Sequence, residues 1–307
     1  MLAVGSEGRP LLRVLCASVI TLAVLWTLPR NAEAQQLYVT EYNIGSVGAY
    51  DATDGFAING NLISGLAEPD GLLVHGNDLY VSTYGFAPNT GVVGKYNINT
   101  GFPINASLIT GLGGASGLAL KNNVLYVANY DTGIIGEYQA DSGLPLNANF
   151  ITGLDGPSYM VISGNKLFVT NFKNSTVGVY NAITGFPLNA VLITKDQGLD
   201  GPTGIVVYKG RLLVANGNSG TVGAYDMNTG FPINAQLITN LAAPNDLAIL
   251  GNFLYVSGYP INLDNTIAPN IIASGTVGKY NANTGFPLNA NLLTGLDSPW
   301  GLAVKPK

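Results

Sequence analysis

The chain has 307 residues, of which 40 are Gly, 16 Pro and 16 Tyr, and only 10% are charged. This mixture excludes helix bundles and coiled coils, which are built from Ala, Glu, Lys, Leu and Arg, and its aromatic and β-branched content excludes disorder. The formal net charge is −5, with Lys and Arg scattered singly, which excludes a nucleic-acid surface and a membrane-surface helix, since both need clustered cations.

Residues 1–34 read as a secretory signal. Arg9 and Arg13 precede an apolar run over residues 14–28, and Ala32-Glu33-Ala34 is an A-x-A cleavage site. The run is short for a membrane span, and no later segment is long and unbroken enough to form one. The expected mature chain is a single domain over residues 35–307, secreted or periplasmic, with no membrane span after cleavage. Cys16 is the one cysteine and falls inside the signal. The mature chain then has neither thiol nor disulfide and depends on its own core.

From Leu37 onward one unit recurs six times. Its first Leu stands at Leu37, Leu79, Leu125, Leu167, Leu212 and Leu254, at intervals of 42 to 46 residues, the spacing of a propeller blade. The unit reads L-Y-V-x-x-Y, G-x-V-G-x-Y, T-G-F-P-x-N-A-x-L-I-T-G-L and P-x-G-L-A-V. Three columns hold in every copy: Gly48, Gly94, Gly136, Gly178, Gly223 and Gly278; the Tyr two residues after each; and Asn59, Asn105, Asn147, Asn189, Asn234 and Asn289. The Gly column suits a strand start or close packing between blades. The Tyr column supplies packing area, and the Asn column suits a turn in which the amide bonds nearby backbone.

Each copy contains four short strand-like runs separated by Gly, Pro, Asn and Asp. In the third copy they cover residues 125–130, 134–139, 149–152 and 159–162. Six sets of four strands predict an all-β, six-bladed propeller. The chain enters at the L-Y-V strand and leaves at Pro299-Trp300-Gly301-Leu302-Ala303-Val304, the strand that the first copy lacks. That final strand is expected to pair in blade one and close the ring, removing exposed sheet edges.

The L-Y-V-[AT]-N strand with P-x-G-[LI]-A-V resembles NHL-type and YVTN-type propellers of secreted bacterial proteins, over the whole of residues 35–307. The resemblance implies that the P-x-G-L-A-V strand, here strand a, is innermost, followed outward by b (L-Y-V), c (V-G-x-Y) and d (L-I-T). It says little about chemistry, because such folds host many functions.

A residue repeated in all copies does a structural job six times over, so function is sought where the copies differ. Antiparallel order puts the d–a and b–c loops on one face. The length irregularities, within residues 85–90, 195–197 and 260–274, fall in those loops, and binding residues concentrate on variable loops over a rigid scaffold. Residues 262–273 are expected to form a lid over the channel mouth. At that mouth the start of strand a supplies Asp70, Ser116, Ser158, Thr203, Asn245 and Trp300. The end of strand b supplies Glu41, Thr83, Asn129, Asn171, Asn216 and Gly258, and the next position Tyr42, Tyr84, Tyr130, Phe172, Gly217 and Tyr259. The candidate binding residues are the first six with Glu41, Asn129, Asn171 and Asn216, and the expected ligand is a small neutral polar molecule, glycan, peptide or protein surface.

His75 is the only histidine and is expected in an exposed turn on the opposite face. A Ser-His-Asp triad and a histidine zinc site therefore lack their main residue. No catalytic residue and no cofactor is assigned. The alternative is a hard-cation site. Pro69-Asp70-Gly71 and Pro244-Asn245-Asp246 resemble the axial calcium-ligand segments of regucalcin/gluconolactonase propellers. That resemblance implies a calcium-dependent lactonase or hydrolase with Asp70 and Asn245 as ligands, and Glu41 with Asn171 or Asn216 completing the shell. The E-G-P segment of those propellers is absent, Glu68-Pro69 being the nearest fragment.

Overall fold

The computed structural model describes residues 35–259 and 275–305. The expected signal and the expected lid over residues 262–273 lie outside the described residues.

Among the described residues twenty-four strands form six antiparallel sheets of four. Blade one combines β1 (Gln36–Glu41), β2 (Ser46–Asp51) and β3 (Ala57–Ile63) with the last strand, β24 (Pro299–Lys305). Blade two is β4 (Pro69–His75), β5 (Asp78–Thr83), β6 (Gly91–Asn97) and β7 (Pro103–Leu112). Blade three is β8 (Ala115–Lys121), β9 (Val124–Asn129), β10 (Ile134–Gln139) and β11 (Pro145–Ile151). Blade four is β12 (Pro157–Ser163), β13 (Lys166–Asn171), β14 (Thr176–Asn181) and β15 (Pro187–Ile193). Blade five is β16 (Pro202–Tyr208), β17 (Arg211–Asn216), β18 (Thr221–Asp226) and β19 (Pro232–Ile238). Blade six is β20 (Pro244–Leu250), β21 (Phe253–Gly258), β22 (Gly275–Asn281) and β23 (Pro287–Leu296).

The a strands β4, β8, β12, β16, β20 and β24 neighbour one another in a closed cycle around the axis. Blade one is completed by β24 beside β1, with Gln36 opposite Lys305 and Val39 opposite Leu302. The sixfold ring and its closure by the final strand are thus as the repeats predict.

Apolar cores fill the seams between successive blades. One joins Tyr38, Val47 and Ile63 of blade one to Leu72, Val81 and Ile98 of blade two. The closing seam joins Leu37, Val39 and Leu302 to Tyr255, Val277 and Leu293. Hydroxyl pegs cross near the axis as well. Thr40 Oγ1 accepts from Gly301 N of its own blade (2.7 Å) and donates to Asp70 O of the next (3.0 Å). Thr170 does the same between Tyr159 N (3.0 Å) and Thr203 O (2.7 Å).

The three invariant columns are structural, the Gly and Asn columns in places other than expected. Gly48 is neither at a strand start nor between blades. Tyr50 folds back over it, and a Cβ there would lie 2.6 Å from the ring. Each Tyr of that column is buried. The Asn column sits inside strand d, at a bulge where Ala49 opposes Asn59 and Val47 opposes Ile63. Asn59 Oδ1 accepts from Asn61 N (3.1 Å), and Asn147 and Asn289 repeat the contact with Asn149 and Asn291. The amide still satisfies backbone two residues on, but in a strand that begins earlier than its apolar residues do.

The insertion Lys195–Gln197 folds as one 3-10 turn, and Gln197 Nε2 donates to Gly230 O (2.8 Å) in the c–d turn of the next blade. Residues 195–197 are not part of the mouth lining, while Asp200, later in the same d–a loop, accepts from the lining residue Asn218.

Candidate ligand-binding mouth

Strand a opens with Pro in five blades, a residue that suits a first strand position because it lacks an N–H. The next two residues form a bulge in every blade. In blade two, for example, Pro69 opposes Thr83 but Leu72 opposes Val81. A bulge re-aims side chains. Here it turns the residue after Pro toward the axis, where a cavity of about 500 Å³ opens.

All six residues at the start of strand a line this cavity: Asp70, Ser116, Ser158, Thr203, Asn245 and Trp300. So do all six that follow strand b: Tyr42, Tyr84, Tyr130, Phe172, Gly217 and Tyr259. Trp300 is sandwiched, with its ring centroid 4.7 Å from Tyr42 and 6.1 Å from Tyr259, at interplanar angles of 23° and 15°. Across the mouth Tyr84, Tyr130 and Phe172 follow one another at 6.3 Å in tilted contacts. Gly217 leaves a gap in the arc.

The last residues of strand b do not line the cavity. Side chains alternate along a strand, and the following aromatic takes the axial direction. Glu41 Oε2 accepts from Asp297 N (2.9 Å). Asn171 and Asn216 donate to Thr176 (3.2 Å) and Thr221 (3.1 Å), each across the start of its own strand c. Asn129 Nδ2 contacts Val127 O at 3.5 Å. Two of the lining hydroxyls have seam duties too. Ser116 Oγ donates to Ser158 O (2.8 Å) and Thr203 Oγ1 to Pro244 O (3.0 Å). These are the blades in which strand b carries Ala128 and Ala215 where Thr40 and Thr170 stand elsewhere.

Two polar groups stand out. Asp70 is almost wholly buried, and its Oδ1 accepts from the Tyr159 hydroxyl of blade four (2.7 Å). Burial pushes its carboxyl up to about 7, against the stabilising effect of that hydrogen bond. Asn245 is 6% exposed, and its Nδ2 has no hydrogen-bond acceptor. The Tyr259 hydroxyl lies near enough for the amide to favour its phenolate, but no hydrogen bond joins them.

Tyr159 and Asp246 were not among the candidates, although the sequence marks them. They interrupt a third-position column that is otherwise Gly71, Gly117, Gly204 and Gly301. Those glycines admit the neighbouring strand: a Cβ on Gly117 would lie 2.5 Å from Tyr159 Cα, and one on Gly204 2.6 Å from Asp246 Cα. Tyr159 lines the cavity and reaches across to Asp70. Asp246 is buried outside the lining, accepts from Leu247 N (2.7 Å) and Leu302 N (2.8 Å), and is raised to about 8 by burial.

The calcium alternative meets a geometric difficulty. Of Glu41, Asp70, Asn171, Asn216 and Asn245, only Asp70 and Asn245 share the cavity. Calcium takes six to eight oxygen ligands. No group of three or more acidic, His or Cys side chains with metal-holding geometry occurs among the described residues. Two of the five expected ligands thus meet at the cavity, and no chemistry is derived through the ion.

No family model and no curated protein matches the chain. Among solved structures it is similar to a chain in the crystal structure of a nidogen/laminin complex, with a TM-score of 0.71 at 14% identity, covering 88% of this chain and 98% of that one. A chain of the computationally designed Ika8 protein aligns at a TM-score of 0.46 and 17% identity, over 84% of this chain and 74% of that one, and carries no argument. The first likeness establishes the β-propeller repeat fold. Among the described residues no helix is long and apolar enough to cross a membrane.

Proposed function

We propose that the chain is an exported propeller of the NHL/YVTN kind that binds a small polar ligand, a glycan, a peptide or a protein partner in its axial mouth. One observation carries this reading. A cavity of about 500 Å³, within the usual range of ligand sites, is lined by an aromatic arc and by a buried amide, Asn245 Nδ2, with no acceptor. An unsatisfied buried donor costs about 1–3 kcal/mol, and a ligand carrying an acceptor would remove that cost. The nidogen/laminin likeness supports a binding or scaffold role in general, since the structure it comes from is of a complex.

The test uses Asp70→Asn, Asn245→Ala and Trp300→Ala together. A bound glycan or peptide is expected to be lost while the melting temperature changes little; a ligand held equally well by the triple variant would place binding elsewhere. No cofactor belongs to this reading. The calcium-dependent lactonase alternative rests on Asp70 and Asn245 alone, and a melting curve unmoved by EDTA and by added calcium removes it.

A further inference from the structure

The mouth has a chemistry more specific than polarity. Of its fifteen lining residues among those described, seven are aromatic, one is a carboxylate and none is cationic. The loops around it carry more carboxylates than cations. Glu68 precedes Asp70 by two residues, Asp131 accepts from the lining Tyr84 hydroxyl (2.5 Å), and Asp200 O accepts from the backbone of the lining residue Asn218. Asp155 and Asp297 stand in corresponding d–a loops. Among the described residues the cations of these loops are Lys173 and Lys195; the Lys173 ammonium already lies over the Tyr130 ring, 4.7 Å from the centroid.

We propose that the cavity recognises an organic ammonium ion, a quaternary or alkylated amine that also carries a hydroxyl or carbonyl oxygen. The cation lies against the aromatic rings and Asp70, and the oxygen accepts from Asn245 Nδ2. This rests on the reading of the mouth as the binding site and narrows its ligand.

Each part of the site has one role in this scheme. Aromatic faces attract cations through their quadrupole, most strongly where water is excluded. Asp70 supplies the countercharge in its ionised form, which a cation bound beside it favours. Its carboxyl makes one side-chain hydrogen bond, from Tyr159, and borders the cavity. The surrounding carboxylates raise the local concentration of cations and repel anions. Asn245 is a donor and so cannot serve the ammonium, which has no acceptor to offer. It requires an oxygen elsewhere on the ligand. A neutral sugar would meet the amide but use neither the buried carboxylate nor the ring electrostatics, and the expectation of a neutral ligand is revised on that ground. The head group belongs equally to a small molecule such as choline and to a trimethylated lysine on a partner.

Calorimetry on the full chain tests this with three probes: choline, tetramethylammonium, and 3,3-dimethylbutan-1-ol, which has the shape of choline without its charge. Choline is expected to bind at least about tenfold more tightly than the uncharged isostere. Asp70→Asn keeps the acceptor for Tyr159 and should remove most of that preference. Asn245→Ala should weaken choline more than tetramethylammonium, which has no oxygen. A trimethyl-lysine peptide that outbinds choline would support the same chemistry and place the head group on a macromolecule. Equal affinity for choline and its isostere, or no saturable heat from either ammonium ion, overturns the proposal. If a neutral glycan or peptide then binds and loses affinity on Trp300→Ala, the mouth reading survives without the ammonium ion. If Trp300 and Asn245 variants affect no ligand at all, the mouth reading falls with it.

Discussion

At the scale of single residues the axis is dominated by two acids held away from water. Asp70 and Asp246 are buried and raised to about 7 and about 8, each opposed by hydrogen bonds that favour its ionised form. The titratable groups facing Asp70 are Tyr42, Tyr84, Tyr159, Tyr259 and Asp246, with no cation among them. In the unfolded chain both carboxyls titrate near 4. Between about pH 4 and pH 8 the folded protein therefore holds protons that the unfolded one has lost, and stability falls as pH rises. Thermal melts should show a lower Tm at pH 8 than at pH 5, with roughly 2–4 °C for each kcal/mol lost. The double variant Asp70→Asn, Asp246→Asn should flatten that slope; an unchanged slope would mean that these acids are not its source.

At the scale of elements, the four-strand unit and its order were legible because the repeats print the same apolar rhythm six times. The start of strand d was not. Its first residues, such as Ala57 to Asn61, are exposed, so no buried face marks them as a strand. The axial ring at the start of strand a was legible from the single variable position after Pro. The partner ring was legible only to within one residue, since Glu41 and Tyr42 differ by one step of strand alternation and point apart. Tyr159 and Asp246 show in the sequence only as breaks in the Gly column next to the variable position, and a break alone does not say that the side chain reaches another blade. Strand β24 carries the clearest mechanical duty. It supplies Leu302 to the closing seam, covers the edge of β1, and brings Gly301 N to the Thr40 hydroxyl. Deleting residues 299–307 should leave no stable monomer, read by sedimentation and near-ultraviolet circular dichroism. A truncated chain that melts as the intact one does would refute closure by this strand.

Across the whole molecule, cations and apolar side chains favour the side away from the mouth. Lys95, Lys121, Lys166, Lys209, Arg211, Lys279 and Lys305 all lie near the a–b turns or the c–d turns. The T-G-F-P turns expose Phe56, Phe102, Leu144, Phe186, Phe231 and Phe286, each by 60% or more. A neutral, greasy rim and an acidic, aromatic mouth are segregated on one rigid body, so a surface could hold the ring while the axis remains open to solutes.

In five blades strands a and b are joined by a two-residue turn, such as Gly76-Asn77 or Gly164-Asn165, opening with a left-handed residue. In blade one that turn is missing, and Lys305 faces Gln36 across the gap. The two strands nevertheless pair in the register of the other blades, with Val39 opposite Leu302 as Val81 is opposite Leu72. A circular permutant with Gly-Asn inserted between Lys305 and Gln36 and new ends opened at 164/165 should adopt the same propeller, with a melting profile and ligand affinity close to those of the original. If it fails to fold, the seam between β24 and β1 is not interchangeable with the other five.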